Sequence, residues 1–182
     1  HLARALRTHG AWVMEYLAER RLLRGLAFWL GGQWVEGYEH PVDGTPCQEA
    51  IDGRRLVHYP DRILEIYPEA PTLQETGAVS YLGVPLRDLD GRVLGLLGVL
   101  DTRPMPEDGQ ALALFRIFAA RAGAELQRLR AEAEVRRERE KLHRLVASTM
   151  DGIVEFDHAF RVTRVNPAAE RIFACRADQV LG

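Results

Sequence analysis

The stretch SYLGVPLRDLDGRVLGLLGVLD, residues 80–101, sets two apolar runs on either side of Asp90-Gly91. That dipeptide accepts the positive φ of a tight turn, so the stretch is expected to fold as an antiparallel β-hairpin turning at Asp90 and Gly91. Val93, Leu94, Leu96, Leu97, Val99 and Leu100 leave the second strand without polar alternation. A strand with one wet face alternates, so this one is expected to be covered on both sides. Gly83, Gly95 and Gly98 offer no side chain to pack, and strand glycines mark a bulge or the close approach of a backbone or ligand. Pro85 cannot donate to a ladder, which places it at an edge or a bulge.

Upstream, residues 2–7 read as the end of a helix and residues 11–17 as a strand carrying the β-prone Trp12, Val13 and Tyr16. Residues 25–30 form a second strand, with Leu26, Phe28 and Leu30 on one face and Ala27 and Trp29 on the other. Gly31-Gly32 turns it into a partner at residues 33–38. Thr45-Pro46-Cys47-Gln48 is a helix start in which Thr45 caps, Pro46 suits the first helical position and Gln48 completes a capping box. Asp52-Gly53 ends that helix within about two turns. Residues 55–59 make a further strand. Pro60, Pro68 and Pro71 then break residues 60–77 into loop and short helical pieces directly before the hairpin.

GVPL at residues 83–86, the Asp-Gly turn, VLG at residues 93–95 and an apolar strand closing on Asp101 resemble the central hairpin of GAF domains. TPC at residues 45–47 and LFRIFAARAGAEL at residues 114–126 resemble a bacterial GAF subgroup in order and spacing. The resemblance spans residues 1–128. It implies an α+β fold, a GAF-like antiparallel β-sheet flanked by helices, with the terminal helices on one face and loops over the other. Residues 60–77 would be the lid of a pocket. It also implies a regulatory module that senses a small-molecule effector; neither the effector nor any cofactor is named by the residues.

From Asp108 the pattern becomes helical. Leu112, Phe115, Ala119, Ala122, Leu126, Leu129 and Ala133 recur at alternating spacings of three and four, a heptad seam. Beyond Ala133 the phase slips: Glu132 with Arg136 and Glu140 with Arg144 stand at i,i+4, and Val135, Leu142 and Leu145 follow a shifted stripe. An isolated domain offers Leu142 and Leu145 no surface, so a parallel homodimer through this helix is expected, with residues 129–150 as a linker or signalling helix. DGIVEFD at residues 151–157 and RVTRVNPAAERIF at residues 161–173 resemble the opening of a PAS domain, with Asn166 as cap and Pro167 at the first helical position. Ala174 and Cys175 stand where that family often has glycine. Residues 151–182 amount to less than half of a PAS fold, so an incomplete PAS segment is expected, its apolar side chains from Ile153 to Phe173 lacking a sheet partner.

A formal net charge of −2 over 182 residues gives no basic field, so direct binding of nucleic acid is not expected. No apolar run approaches the roughly 20 residues that span a bilayer, so no membrane segment is expected here. Two widely separated cysteines, Cys47 and Cys175, suit a reducing cytoplasm better than a stapled secreted scaffold. Starting at His1 and stopping inside a pattern, the chain reads as an excerpt of a longer protein.

Cys47, at the second helical position, lies where backbone N–H groups stabilise a thiolate; the alternative is a small buried apolar residue. GAF-type methionine sulfoxide reductases use several cysteines, and this domain holds one. Bilin-binding relatives commonly follow their cysteine with histidine, whereas Gln48 follows Cys47, so no covalent bilin is expected. His40 and His58 belong to no metal-ligand spacing, and no nucleophile, base and orienter set, Walker loop or dinucleotide fingerprint is present. A regulatory region rather than an enzyme is therefore expected, with no metal. Trp12, Phe28, Trp29, Tyr38, Tyr59, Tyr67 and Tyr81 surround the expected pocket side. Within that set and its neighbours, Phe28, Trp29, Tyr59, Arg62, Gln74, Ser80 and Tyr81 are the candidate ligand-binding residues, the polar ones supplying the few oriented groups that apolar pockets carry. Three functions stay open: the sensory input of a sensor histidine kinase or an activator of alternative-sigma-factor transcription, a ligand-free dimerisation module, and a thiol redox sensor through Cys47.

Overall fold

A computed structural model describes residues 2–148 and 150–181 of the chain, which divides into two units, His1–Leu129 and Arg130–Gly182. In the first unit a short helix α1 (Leu2–Leu6) leads into strand β1 (Gly10–Leu17), a 3₁₀ turn at Ala18–Arg20 and strand β2 (Leu22–Leu30). The two strands pair antiparallel, setting Trp12 opposite Phe28 and Ala11 opposite Trp29. Past Gly31-Gly32 only β3 (Gln33–Trp34) pairs back; the strand expected over residues 33–38 stops there. Gly37 takes a positive φ of 65° and redirects the chain into β4 (Glu39–Pro41), which joins the other half of β2.

Helix α2 (Pro46–Asp52), β5 (Val57–Tyr59), α3 (Ile63–Ile66) and α4 (Pro71–Thr76) follow, so residues 60–77 are two short helices joined by turns. Thr45 takes the extended N-cap conformation of α2, but the expected capping box is not formed. Its hydroxyl donates to the Val42 carbonyl at 2.6 Å, and the Gln48 side chain accepts from the Gly44 amide at 3.0 Å instead. Pro46, with φ already helical, starts the helix without that cap.

The hairpin of β6 (Ser80–Arg87) and β7 (Val93–Asp101) completes a sheet in the order β3-β2-β1-β7-β6-β5, with β4 beside β2. Its turn lies at Asp90 and Gly91, in a form other than the two-residue one. Gly91 alone has positive φ, 80°, and Leu89, Asp90 and Gly91 form a three-residue loop closed by the Asp88 amide on the Arg92 carbonyl at 3.0 Å. The Asp88 carboxylate accepts from the Asp90 and Arg92 amides at 3.0 and 2.8 Å, which satisfies backbone donors that a tighter turn would pair directly. β5 reaches only as far as Gly83 along β6, so Pro85 stands where the outer side of that strand has no ladder to interrupt.

Strand β7 is buried on both faces. Leu97 and Val99 join Leu82, Phe115, Ala119 and Leu126 in a core under helix α5 (Gly109–Ser148), together with Leu2 and Ala3 of α1. Leu96 and Leu100 join Trp12, Met14, Phe28 and Tyr81 in a second core, closed by Val42, Cys47, Ile63 and Leu73 from the connections. A Cβ on Gly95 would strike the Met14 carbonyl, so that glycine brings β1 and β7 together. The heptad seam of α5 lies against the sheet as far as Leu126; Leu129 is half-exposed.

In the second unit, β8 (Val154–Phe156) and β9 (Val162–Val165) form an antiparallel hairpin, followed by α6 (Pro167–Phe173) and α7 (Ala177–Val180). Asn166, buried, organises it: Oδ1 accepts from the Ala169 and Ile153 amides at 2.9 and 2.8 Å, and Nδ2 donates to the Asp151 and Val146 carbonyls at 2.9 and 3.1 Å. Ala168 and Ala169 are buried, whereas Phe156, Ile172 and Phe173 are more than half exposed, as are Val135, Leu142 and Leu145 of α5. Among the described residues no helix is long and apolar enough to cross a membrane.

Gly91→Val forces a β-branched residue to positive φ, and the expected cost is about 1 kcal/mol or more. A urea melt followed by circular dichroism reads it; an unchanged midpoint contradicts the left-handed position of Gly91.

Candidate functional site

Strand parity decides which side chains meet on the face of the sheet away from α5. Trp12 of β1 stands opposite Gly98 of β7, and Gly98 stands opposite Gly83 of β6. A Cβ on Gly98 would lie 2.5 Å from Cε2 of Trp12, and one on Gly83 would lie 2.7 Å from Cζ of Tyr81. The paired glycines therefore leave a clearing in which both rings lie along the sheet. Trp12 is 5% exposed and Tyr81 is fully buried. Phe28 meets Trp12 edge-on with centroids 5.5 Å apart, and Tyr38 leans on Phe28 at 4.7 Å.

Over this aromatic floor, the segment from Glu39 to Cys47 and the segment from Glu69 to Glu75 enclose a cavity of about 520 Å³, within the roughly 300–1,000 Å³ typical of ligand sites. The Tyr38 hydroxyl bonds the Thr72 hydroxyl, tying the two walls together. Two prolines, Pro46 and Pro71, start the helices that border it. Its polar lining is lopsided: Glu39, Asp43, Glu69 and Glu75 are present, while Lys and Arg are absent from the lining. Asp43 is held by Arg21, whose Nε lies 2.8 Å from Oδ1 and which also grips Asp52. Among the described residues the indole Nε1 of Trp12, lying over Gly98, is buried with no hydrogen-bond acceptor.

Burial also sets the acid–base character. It pushes the Cys47 thiol up to about 11, against a weaker opposing effect of the Tyr81 hydroxyl, which donates to Sγ at 3.4 Å. Cys47 is thus a protonated thiol at neutral pH despite its place near a helix start. Burial lowers the pKa of His40, opposed by the Pro41 carbonyl 2.7 Å from Nδ1. Tyr59 is raised by burial and by donating to Glu49. Among the described residues no group of three or more His, Cys, Asp or Glu is placed to hold a metal ion.

Of the residues expected to bind ligand, the cavity brings together Phe28 and Tyr81, with Cys47 beside them. Trp29 lies on the opposite face, packed edge-on against Trp34 with centroids 5.4 Å apart. There it lines a separate groove of about 590 Å³ with Phe118 and Ala122 of α5. Tyr59 packs at the core's margin, where its hydroxyl meets Tyr67 at 3.1 Å and Glu49. Ser80 is buried on the α5 side and donates to the Arg103 carbonyl at 2.7 Å. Arg62 is exposed, 3.7 Å from both Asp61 and Glu65, and the Gln74 amide donates to the Pro68 carbonyl. None of these five lines the cavity. Trp12, Tyr38, Thr72 and the carboxylates take their place; the alternation that separates Phe28 from Trp29 in β2 was the signal for the floor, while the acidic wall has none in the pattern of a loop.

A family model described as the GAF domain matches residues 1–126, and one described as the PAS domain matches residues 140–182. The fold is similar to the GAF domain of a phosphoenolpyruvate-protein phosphotransferase from Acinetobacter, with a TM-score of 0.58 at 15% identity over 73% of this chain and 79% of that one. It is also similar to the GAF-B domain of DevS from Mycobacterium smegmatis, TM-score 0.56 and 19% identity over 74% and 90% of the two chains. The blue-light absorbing form of the PixJ GAF domain from Thermosynechococcus elongatus gives a TM-score of 0.54 at 17% identity over 75% and 84%. At these identities the likeness is one of fold. No curated protein matches the chain in sequence.

In a Cys175→Ser background, a thiol-reactive disulfide reagent at pH 8 should label folded Cys47 at least about 100-fold more slowly than the urea-unfolded chain. A thiol pKa near 11 leaves about 0.1% thiolate at that pH, against about a quarter for an ordinary cysteine. Equal labelling of folded and unfolded chain contradicts the buried thiol.

Proposed function

Because this chain belongs to the GAF domain family over residues 1–126, we propose that it is the small-molecule-sensing input module of a signal-transduction or transcription-regulatory protein. The observation that carries this reading is the cavity on the far side of a sheet whose near side carries α5. An effector seated on Trp12, Phe28, Tyr38 and Tyr81 presses on β1, β6 and β7, the same strands that pack Leu82, Leu97 and Val99 against the helix. An interior this closely packed transmits a shift rather than absorbing it. The effector biases α5, and α5 biases the segment C-terminal to it, which the PAS domain model matches. Both matched families are regulatory and sensory rather than catalytic. The output is of the sensor histidine kinase or alternative-sigma-factor activator type, and the setting is the cytoplasm.

A ligand-free dimerisation module would fill its own pocket side; the open cavity favours a bound effector over that alternative. The burial and raised pKa of Cys47 disfavour redox sensing. Dimerisation is nonetheless part of the proposal, as a parallel pair through the stripe of Val135, Leu142 and Leu145.

Native mass spectrometry of the purified protein against a small-molecule set supplies a binder, and hydrogen exchange then tests the lid. Amides of residues 60–77 should exchange fast in the free protein and slow on binding, since a closing segment gains protection only when occupied. Protection in the free protein equal to that of β7 marks a fixed loop and contradicts the lid. For the dimer, Leu142→Glu with Leu145→Glu should bring the light-scattering mass down to that of one chain. A wild-type monomer at high micromolar concentration contradicts the paired helix.

A further inference from the structure

The walls of the cavity carry charge of one sign over an aromatic floor. Among the described residues Glu39, Glu69 and Glu75 form no ion pair, and Asp43 is already met by Arg21. The chain has 24 Lys and Arg residues, so a lining without one is not a matter of scarcity. His40 adds no positive charge at neutral pH, since burial holds its pKa below the ordinary value. The starts of α2 and α4 border the site and oppose the carboxylates, but a helix end carries about half a unit charge at most. Two such ends come to about one unit against three unpaired carboxylates.

Resting on the reading of this cavity as an effector site, we infer that it selects a cationic aromatic ligand, a ring bearing a protonated amine. The ring lies on Trp12, Phe28 and Tyr38, whose faces attract positive charge and stack on an aromatic plane. The ammonium sits at Glu39, Glu69 and Glu75. Anionic effectors, nucleotides and carboxylic acids among them, are repelled: they find no cation here and face carboxylates within about a Debye length, 8–10 Å at 0.10–0.15 M salt.

Three probes of nearly one size separate the terms: tyramine, neutral tyrosol and anionic 4-hydroxyphenylacetate. Binding to the full 182-residue chain is measured by calorimetry at low and at 0.5 M salt. Tyramine should bind about tenfold or more tighter than tyrosol at low salt, and tighter again than 4-hydroxyphenylacetate. Glu39→Gln, Glu69→Gln and Glu75→Gln together, all three at exposed positions, should erase the preference for tyramine over tyrosol and leave tyrosol binding unchanged. Tyramine failing to bind at millimolar concentration, 4-hydroxyphenylacetate binding as well as tyramine, or a preference that survives the triple substitution overturns the inference. If tyrosol or 4-hydroxyphenylacetate binds and slows exchange in residues 60–77 while tyramine is not preferred, the inference falls and the effector site stands.

Discussion

Two glycines facing each other across β6 and β7 govern the architecture of the site. Gly83 and Gly98 are the width of one sheet register apart, and every larger residue at either place would lift Tyr81 or Trp12 off the strands. With both rings lying down, the floor is broad and flat, and the segments after β4 and before β6 must stand off to cover it. With either ring standing, it would fill the volume those segments now enclose. The cavity thus follows from a deletion of side chains in the sheet more than from any added group. The arrangement is the packing counterpart of placing small residues opposite large ones in a core.

The same strand carries the consequence to the other face. β7 has no solvent side: Leu96 and Leu100 belong to the aromatic core, and Leu97 and Val99 belong to the core under α5. Gly95, just before them, lets the Met14 carbonyl come close, so β1 and β7 are tightly apposed at that point. Side chains on such a strand touch both layers within one residue of each other. A change in what lies over Gly98 has the thickness of one strand to cross before it reaches Phe115 and Leu126.

The central hairpin and the two-sided burial of β7 were legible because both are written in local chemistry, an Asp-Gly pair between apolar runs and a run with no polar alternation. The turn's detailed shape was not, since it depends on the Asp88 carboxylate reaching two amides, a choice among near-equal turn types. Half of the candidate site was legible in the same way: β2 alternates, so Phe28 and Trp29 cannot share a pocket, and pairing with β1 selects Phe28 with Trp12. Ser80, one residue before Tyr81, falls by the same parity on the α5 face and not on the cavity. Arg62 and Gln74 are polar residues in the same segment, but long side chains at the start of one short helix and within another meet local partners first. Which carboxylates ring the cavity depends on how residues 39–47 and 69–75 approach one another, a tertiary fact with no periodic trace.

Helix α5 shows how one apolar pattern ends and another begins. As far as Leu126 its stripe is consumed by the sheet, where Phe115 is wholly buried and contributes about 3–5 kcal/mol by the usual cost of truncating a core phenylalanine. From about that point charge pairs such as Arg128 with Glu125 at 2.6 Å and Arg137 with Glu134 at 2.5 Å line the surface, each worth only a few tenths of a kcal/mol. Those pairs sustain helical conformation without needing a partner. Val135, Leu142 and Leu145 play no such part, because exposed leucines add nothing to a lone helix that glutamate or lysine would not supply. In the proposed parallel pair their recurrence on one stripe supplies the seam, and the phase slip after Ala133 marks where the pattern that packs on the sheet gives way to it.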